Sequence, residues 1–228
     1  MPKAATNLAV FIRDKTLELL LEKEPEEIST RDIAKACGVT ATSLYYYYKD
    51  REAIFTEVKL YCIENMDAYI SGQIAKRAAK QRRPGKKKES SAMARRGRPS
   101  PPGLLEEARA GFEAFRDWAF ANPRIALLVM GRLKADTQDD PAKMEKYYRS
   151  VLFAKEILDG LVEAGLSGSA DTIRDACLCV AALWGAIESV LLNRTIPQYW
   201  TRQGGLEFTG SMIDLLLTSL GDCRTHGA

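Results

Sequence analysis

The chain has 228 residues, with 33 basic side chains, 30 acidic side chains and one histidine, and its formal net charge is +3. No apolar run reaches the roughly eighteen residues that span a bilayer, and Met1-Pro2-Lys3 does not begin the apolar stretch of a signal peptide. We therefore predict a cytoplasmic protein without a membrane partner. The five cysteines are odd in number and lie in helical patterns, which favours reduced thiols over disulfides.

Apolar residues recur with the helical period along most of the chain, and no alternating strand pattern or internal repeat competes with them. The predicted fold is therefore all-α. The predicted helices span residues 6–23, 30–37, 41–47, 50–72, 104–121, 124–134, 141–164, 171–193 and 206–220. The pattern divides the chain into a domain at 1–50, which holds the first three helices, a connecting helix at 51–75, a basic Pro/Gly-rich insert at 76–103 and a second helical domain at 104–222.

Residues 29–48 have the pattern of two short helices joined by a glycine turn. Ser29-x-x-Asp32 has the form of a capping box at the start of the first helix. Gly38 can adopt the positive φ that ends a helix sharply, and Thr40 can cap the helix that follows. A two-helix unit with so short a turn is the shape that lays its second helix in the DNA major groove.

The segment and the start of the next helix contain Ile33-Ala34, Gly38-Val39, Leu44-Tyr45, Tyr48 and Asp50-Arg51-Glu52. With these residues the chain resembles the N-terminal domain of the TetR family of transcriptional repressors over about residues 6–60. The resemblance implies a helix-turn-helix DNA-binding domain at 1–50 and a ligand-binding and dimerisation domain at 104–222. It also implies a homodimer that binds double-stranded DNA at a palindromic operator and that responds to a small-molecule effector. The insert at 76–103 departs from the family, which usually has a short turn between the fourth and fifth helices.

The residues predicted to contact DNA lie in and around the second helix of the unit. They are Thr30, Thr40, Ala41, Thr42, Ser43, Tyr45, Tyr46, Tyr47, Lys49 and Arg51. The first turn of this helix points at base edges, whereas the hydroxyls of Tyr46 and Tyr47 can reach phosphates. Burial in the core is the alternative for a run of tyrosines, and we expect it for Tyr48 and in part for Tyr45. The resemblance implies a phosphate contact for Arg51, where the family usually has lysine.

Positive charge is concentrated in residues 76–98, which hold eleven of the 33 basic residues and one acid, Glu89. The rest of the chain has 22 basic against 29 acidic residues, a balance of −7. The Pro, Gly and Ser content of residues 76–98 does not support a core, so we predict a linker or a disordered insert. Arg95-Arg96-Gly97-Arg98-Pro99 matches the core of an AT-hook, in which Arg96 and Arg98 would form a minor-groove arm; a plain linker is the alternative.

The last two helices, 171–193 and 206–220, are expected to pair with a second copy of the chain in a four-helix bundle, as the resemblance implies. The first of them is apolar almost all round, and small residues such as Ala181 and Gly185 permit close helix approach. Packing within one subunit is the alternative. A dimer gains support because two recognition helices about 34 Å apart can read a palindrome.

Aromatic residues of the second domain predict an apolar cavity for a hydrophobic or aromatic small molecule. The candidate lining residues are Phe112, Phe115, Trp118, Met130, Tyr147, Phe153, Trp184 and Glu188. Ordinary core packing is the alternative for each aromatic side chain. Glu188 lies in an apolar stretch where an unpaired buried carboxylate is costly, so it faces solvent, pairs across the dimer or meets a polar group of the ligand.

The sequence argues against an enzyme and against a bound cofactor or metal. The only histidine is His226, near the end of the chain, so a histidine-based acid or base is unavailable. Cys177 and Cys179 point to opposite sides of a helix and cannot share a metal ion, and no phosphate-cradling glycine loop is present. The predicted function is a repressor released from a palindromic operator by its effector; the alternative is a less specific nucleoid-type DNA-binding protein that uses the basic insert.

Overall fold

The computed structural model describes residues 3–81, 101–136 and 140–221, and all regular structure in these ranges is helical. The α-helices are α1 (Lys3–Glu22), α2 (Thr30–Cys37), α3 (Ala41–Leu44), α4 (Arg51–Gln81), α5 (Pro101–Ala121), α6 (Pro123–Leu127), α7 (Pro141–Tyr147), α8 (Arg149–Glu163), α9 (Thr172–Leu191) and α10 (Arg202–Gly221). A π-helical turn, Leu128–Arg132, continues α6, and 3₁₀ turns lie at Pro25–Glu27 and Pro197–Tyr199. The predicted all-α fold is confirmed over these ranges. None of the helices described is both long enough and apolar enough to cross a bilayer.

Two helices are shorter than the sequence pattern predicts. α3 ends at Leu44 rather than at residue 47, because the backbone N–H groups of Tyr47 and Tyr48 both donate to the Leu44 carbonyl and close a tight turn. The helix predicted over 141–164 is divided at Tyr148, whose ψ of 15° leaves the helical range between α7 and α8.

α4 is longer than predicted. It continues to Gln81 instead of fading in the polar run after Gly72. The polar residues of this run have partners on α5, since the Arg77 guanidinium donates to the Glu113 carboxylate at 2.6 Å. Tertiary contacts of this kind maintain helices that sequence periodicity alone does not indicate.

The described residues form two compact units. The first contains residues 3–66, 121–136 and 140–148, and the second contains residues 67–81, 101–120 and 149–221. α4 runs without a break from the first group of residues into the second. The units thus interleave along the chain, whereas the predicted domains at 1–50, 51–75, 76–103 and 104–222 are consecutive; those functional boundaries stay predictions.

The core of the first unit holds the helix-turn-helix segment in place. Its fully buried large side chains are Ile12, Leu20, Ile28, Ile33, Leu44, Ile54, Phe55 and Met66. α1 packs on α2, and α2 packs on α3. Because burial of each such side chain contributes about 1.5–3 kcal/mol, the short α3 is oriented by this core and not by its own four-residue length.

The second unit is a helical bundle in which α8 packs on α9 and α9 packs on α10. Its fully buried large side chains are Leu158, Leu161, Leu183 and Ile187. α5 contributes Phe112, Phe115 and Trp118, each less than one-tenth exposed. This unit therefore presents aromatic side chains of α5 close to the apolar face of α9.

Candidate DNA interface and ligand cavity

The start of α2 is fixed by the capping box expected from the sequence. The Ser29 hydroxyl accepts a hydrogen bond from the Asp32 backbone N–H at 3.2 Å, and the Asp32 carboxylate accepts from the Ser29 backbone N–H at 2.8 Å. Hydrogen bonds from Ser29 hold the pKa of Asp32 below its ordinary value, so the carboxylate is ionised. Its negative charge also interacts favourably with the positive end of the helix dipole. α2 thus begins at a defined residue.

The turn between α2 and α3 is fixed by Gly38 and Thr40. Gly38 has φ 67° and ψ 26°, the left-handed conformation that ends a helix at little cost only for glycine. The Thr40 side chain then caps α3 by accepting from the Ser43 backbone N–H at 3.2 Å, and the Thr40 and Ser43 hydroxyls lie 2.8 Å apart. Two of the predicted DNA contacts, Thr40 and Ser43, therefore also stabilise the start of α3.

The four consecutive tyrosines divide between core and surface. Tyr46 is 85% exposed, Tyr45 is 57% exposed and Tyr47 is 36% exposed. The Tyr48 hydroxyl instead donates to the Ala9 carbonyl at 3.3 Å, and burial raises the pKa of Tyr48 to about 12. Tyr48 is packed as expected, whereas Tyr45 is more exposed than expected.

The two predicted basic contacts have intramolecular partners in the structure. Lys49 forms an ion pair with Asp136 at 2.8 Å. The Arg51 guanidinium donates to the Ile28 carbonyl at 2.9 Å, and it pairs with the neighbouring Glu52 carboxylate at 2.8 Å. Arg51 thus supports the segment before α2, and its phosphate contact stays a prediction, as does that of Lys49.

Four of the eight predicted pocket residues surround one cavity in the second unit. Phe112, Phe115, Phe153 and Trp184 line this aromatic cavity, whose volume is about 90 Å³. The rings of Phe115 and Trp184 are stacked with centroids 6.1 Å apart. α4, α5, α8 and α9 each contribute to the walls. A cavity between helices of a bundle with a mostly apolar lining is a common form of ligand site.

The other four predicted pocket residues do not line the aromatic cavity, and their roles as ligand contacts stay predictions. Met130 and Tyr147 belong to the first unit. Trp118 is buried elsewhere on α5, and Glu188 lies 3.8 Å from Arg194 in an ion pair that is open to solvent. Helical periodicity predicts which side of a helix is buried. It does not predict which of the two units a buried residue packs in, or which residues it contacts.

Polar residues that line the cavity were not predicted from the sequence, because aromatic side chains are the clearer sequence signal of an apolar pocket. Asp67 and Ser71 of α4 lie one helical turn apart on its wall, and Arg149 and Glu156 come from α8. Asp67, Ser71 and Ile74 have the i, i+4, i+7 spacing of one helix face, which is the signal that could have found the α4 wall. The predicted minor-groove arm, Arg96 and Arg98, lies outside the described residues.

The helix-turn-helix segment is similar to a known family of proteins. Residues 12–58 match the family model of the bacterial regulatory proteins, tetR family. These residues form a TetR-family DNA-binding domain. The family resemblance drawn from the sequence is thereby confirmed. Members of this family are transcription regulators and not enzymes, which agrees with the prediction that the chain is not an enzyme. A search of curated protein sequences gave no match.

Solved structures extend the likeness to nearly the whole chain. A TetR-family regulator structure from Shewanella sp. PV-4 has a TM-score of 0.64 at 15% identity, with 93% of this chain and 97% of that chain covered. FadR from Bacillus subtilis in complex with stearoyl-CoA has a TM-score of 0.59 at 14% identity, with 92% and 98% covered. A TetR-family regulatory protein from Rhodococcus RHA1 has a TM-score of 0.58 at 16% identity, with 97% and 98% covered. At these identities the likeness shows the fold of a TetR-family regulator.

In the first unit, a buried lysine connects α4 to the segment after the π-helical turn. Lys59 is 3% exposed, and its ammonium donates to the Leu133 carbonyl and to the Tyr147 hydroxyl, the latter at 3.3 Å. Burial lowers the pKa of Lys59 to about 8. The Thr56 hydroxyl accepts from the Asp136 backbone N–H at 3.1 Å. Residues 133–136 are thus attached to one face of α4.

The last two helices of the TetR-type fold carry exposed apolar residues. Leu178 of α9 is 62% exposed and Leu215 of α10 is 66% exposed. Ala181 and Gly185 are also exposed, at the helical spacing of Leu178.

Four cysteines lie in the part of the chain that the structure describes, and all four are free thiols. Cys37, Cys62 and Cys179 are buried, as expected, whereas Cys177 is exposed on α9.

Proposed function

We propose that the protein is a homodimeric transcription repressor that binds a palindromic DNA site and leaves it when an apolar or aromatic small molecule binds the second unit. The observation that carries this proposal is the TetR-family helix-turn-helix, in which a capped α3 stands beside exposed tyrosines on a rigid core. A side chain that reads DNA must be held by its scaffold and remain open to solvent. Thr42 and Tyr46 meet both conditions.

The roles of these residues follow from their places on α3. Ala41, Thr42 and Ser43 form the first turn, the end of a recognition helix that approaches base edges. The Thr42 hydroxyl can donate or accept at a base, and the methyl of Ala41 suits the thymine methyl. Tyr46 and Tyr47 follow the helix and can donate to phosphate oxygens, which adds affinity without sequence preference.

Dimerisation is supported by the exposed apolar face of α9 and α10. The apolar side chains of Leu178 and Leu215 are exposed on the surface of the second unit. Burying them against a second copy would remove apolar area from water, which is favourable. Ala181 and Gly185 would allow the backbones of two copies to approach closely. A dimer also doubles the number of bases read, as a palindrome requires.

The aromatic cavity is the proposed effector site. Its volume of about 90 Å³ is below the roughly 300–1,000 Å³ of pockets that hold drug-sized ligands, so an effector must displace lining side chains. Phe153 and Trp184 are only half-buried and are suited to move. FadR of Bacillus subtilis, which shares the fold, was solved with stearoyl-CoA, and this supports a ligand site in the helical part of such a chain.

α4 is the proposed route from effector to DNA. The same helix contributes Asp67, Ser71 and Ile74 to the cavity wall and, nearer its start, carries Thr56 and Lys59, which hold residues 133–136. Release requires only that the effector prefer a conformation that does not fit DNA. A preference of about 1–3 kcal/mol weakens DNA binding roughly 5- to 150-fold.

The test compares substitutions that separate phosphate contacts from base contacts. Tyr46→Phe combined with Tyr47→Phe removes two hydroxyls and should weaken binding to the operator and to unrelated DNA alike, whereas Thr42→Ala should change the order of preferred sites. Tyr69→Phe, at a 38% exposed tyrosine of the second unit, is the matched control. Fluorescence anisotropy with labelled duplexes at physiological salt measures each affinity. Unchanged affinity of the double tyrosine variant would refute the assignment of the tyrosines.

A further inference from the structure

We infer that the effector is a straight apolar chain of about eight to ten carbons, which displaces the ring of Phe153 and ends in a second apolar space of the same bundle. This inner void has a volume of about 10 Å³ and lies between α5, α8, α9 and the end of α10, where Ala108, Cys179 and Leu220 are among its lining residues. The inference rests on the proposed function, because it names the chemical class of ligand for the aromatic cavity.

The inner void lies about one helical turn along the bundle from the aromatic cavity. On α9, Cys179 lines the inner void, and Leu183, four residues later, lines the aromatic cavity. On α8 the order is reversed, with Ser150 at the aromatic cavity and Leu158 at the inner void. Neighbouring helices that run in opposite directions show such a reversal. The two spaces therefore follow each other along the helix axes.

The combined length of the two spaces sets the length of the chain. Their lining extends from Ala108 to Phe115 on α5 and from Arg149 to Leu158 on α8. At about 1.5 Å per residue these stretches are about 10 and 13 Å long. An extended alkyl chain advances about 1.3 Å per carbon, because its bonds of about 1.5 Å form a zigzag. A chain of about eight to ten carbons therefore fills both spaces.

Two phenylalanine rings separate the spaces, since Phe112 and Phe153 line both of them. Phe112 is 7% exposed, whereas Phe153 is half-buried and also lines a surface groove of about 510 Å³ between α5 and α8. The Phe153 ring lies over Gly111, where an added Cβ would stand 2.7 Å from Cε1 of the ring. Rotation of this ring into the groove joins the two spaces. The ring leaves room for a ligand, because a cavity of about 150 Å³ holds a benzene molecule.

The lining defines which end of the ligand lies where. Among the described residues, the inner void is lined by buried carbon side chains, by the half-buried Phe153 and by the Cys179 thiol. Burial raises the pKa of Cys179 to about 11, so this thiol is neutral. A polar group placed there would lose its hydrogen bonds to water. Arg149 and Glu156 of the aromatic cavity are exposed, so the polar end of the ligand lies on their side and the tail lies in the inner void.

The first experiment measures affinity against chain length. The unbranched alcohols from 1-hexanol to 1-dodecanol are titrated calorimetrically into the full-length protein below their solubility limits. The affinity should rise about fourfold with each methylene that is buried, and it should stop rising at about eight to ten carbons, with one molecule bound per subunit. A rise that continues to twelve carbons, or an affinity that does not depend on chain length, would overturn the inference.

The second experiment tests the straight shape of the ligand. 2-Propyl-1-heptanol is an isomer of 1-decanol whose longest chain has seven carbons, and it should bind at least about tenfold more weakly than 1-decanol. Phe153→Ala widens the passage and should reduce this ratio to less than about threefold. Phe120→Ala, at a half-buried phenylalanine that lines neither space, is the matched control and should leave the ratio unchanged. Equal affinity of the two isomers for the unaltered protein would refute the straight chain.

Variants of the inner void test where the tail ends. Ala108→Val fills the void and should move the length limit to chains about two carbons shorter, whereas Leu220→Ala should move it to chains about two carbons longer. Ala110→Val is the control, because Ala110 is also buried but lies about 200° around α5 from Ala108. Circular dichroism confirms that each variant is folded. An unchanged limit in folded Leu220→Ala would overturn the placement of the tail, even if Ala108→Val does not fold.

Measurements of DNA release separate this inference from the proposed function. Release of operator DNA by 2-propyl-1-heptanol as effectively as by 1-decanol would overturn the ligand class and leave the repressor proposal standing. Binding of 1-decanol with the expected length limit but without any change of DNA affinity would support the ligand class and contradict the effector role. If none of the alcohols binds, the inference is overturned, whatever compound releases the DNA.

Discussion

The buried ammonium of Lys59 should make stability depend on pH in a way that Lys59→Met removes. Burial lowers the pKa of this lysine from 10.5 to about 8, so between these two values the unfolded chain holds a proton that the folded chain has released. The free energy of unfolding therefore rises with pH across this window, and the burial cost is fully present below about pH 8. The shift corresponds to about 3 kcal/mol, most of which should be recovered between pH 7 and pH 10.

Methionine at this position has a similar length and no charge, so the variant should lack this dependence. It also leaves the Leu133 carbonyl without the hydrogen bond from Lys59, which costs about 1–3 kcal/mol. This cost is the same at every pH, so it lowers the free energy of unfolding without changing its dependence on pH. Urea unfolding at one fixed protein concentration, at pH 7, 8, 9 and 10, measures the difference between the two proteins. Lys76→Met, at an exposed lysine of the same helix, is the control and should give a flat difference. A flat difference for Lys59→Met as well would refute the account of a charged group desolvated in this core.

Three other changes test separate parts of the account. Gly38→Ala places a side chain at φ 67° with no atom within 4 Å of the new Cβ, so it should lower the free energy of unfolding by about 1–2 kcal/mol through backbone strain alone, measurable as a lower Tm, and a neutral effect would contradict the left-handed turn. Asp136→Asn removes the partner of Lys49 and a negative charge from the proposed DNA surface; DNA affinity should rise about two- to fivefold at low salt while stability changes little, and an unchanged affinity would place Lys49 away from phosphate. Deletion of residues 84–98 should lower the slope of log affinity against log salt by about 0.9 for each phosphate that this segment neutralises, and an unchanged slope would support a plain linker.

The helix-turn-helix could be predicted closely because its signals are local. The capping pair Ser29 and Asp32, the left-handed Gly38 and the cap Thr40 each act through hydrogen bonds or dihedral angles within four residues. The end of α3 could not be predicted, since helical periodicity does not show that two N–H groups will converge on the Leu44 carbonyl. The length of α4 was missed for the opposite reason, because its polar end is maintained by contacts with α5.

The cavity could be predicted only in part. Phe112, Phe115, Phe153 and Trp184 were predicted to line a pocket, and the structure brings them together around one cavity; their contact with a ligand stays a prediction. Periodicity shows that a residue faces inward but does not show which neighbours it meets, so Tyr147 was assigned to the cavity although it contacts Lys59 in the other unit. Asp67, Arg149 and Glu156, which also line the cavity, were missed because charged side chains of an amphipathic helix look like ordinary surface in a sequence.

Selection of DNA from a random duplex library by the full-length protein, followed by footprinting of the recovered sites, tests the central claim most directly. The account predicts an inverted repeat whose half-sites are centred about one helical turn, roughly 34 Å, apart, with one protected region that does not grow as protein is added. Recovery of fragments without an inverted repeat, together with protection that spreads along the DNA as the protein concentration rises, would contradict it and favour a nucleoid-type DNA-binding protein.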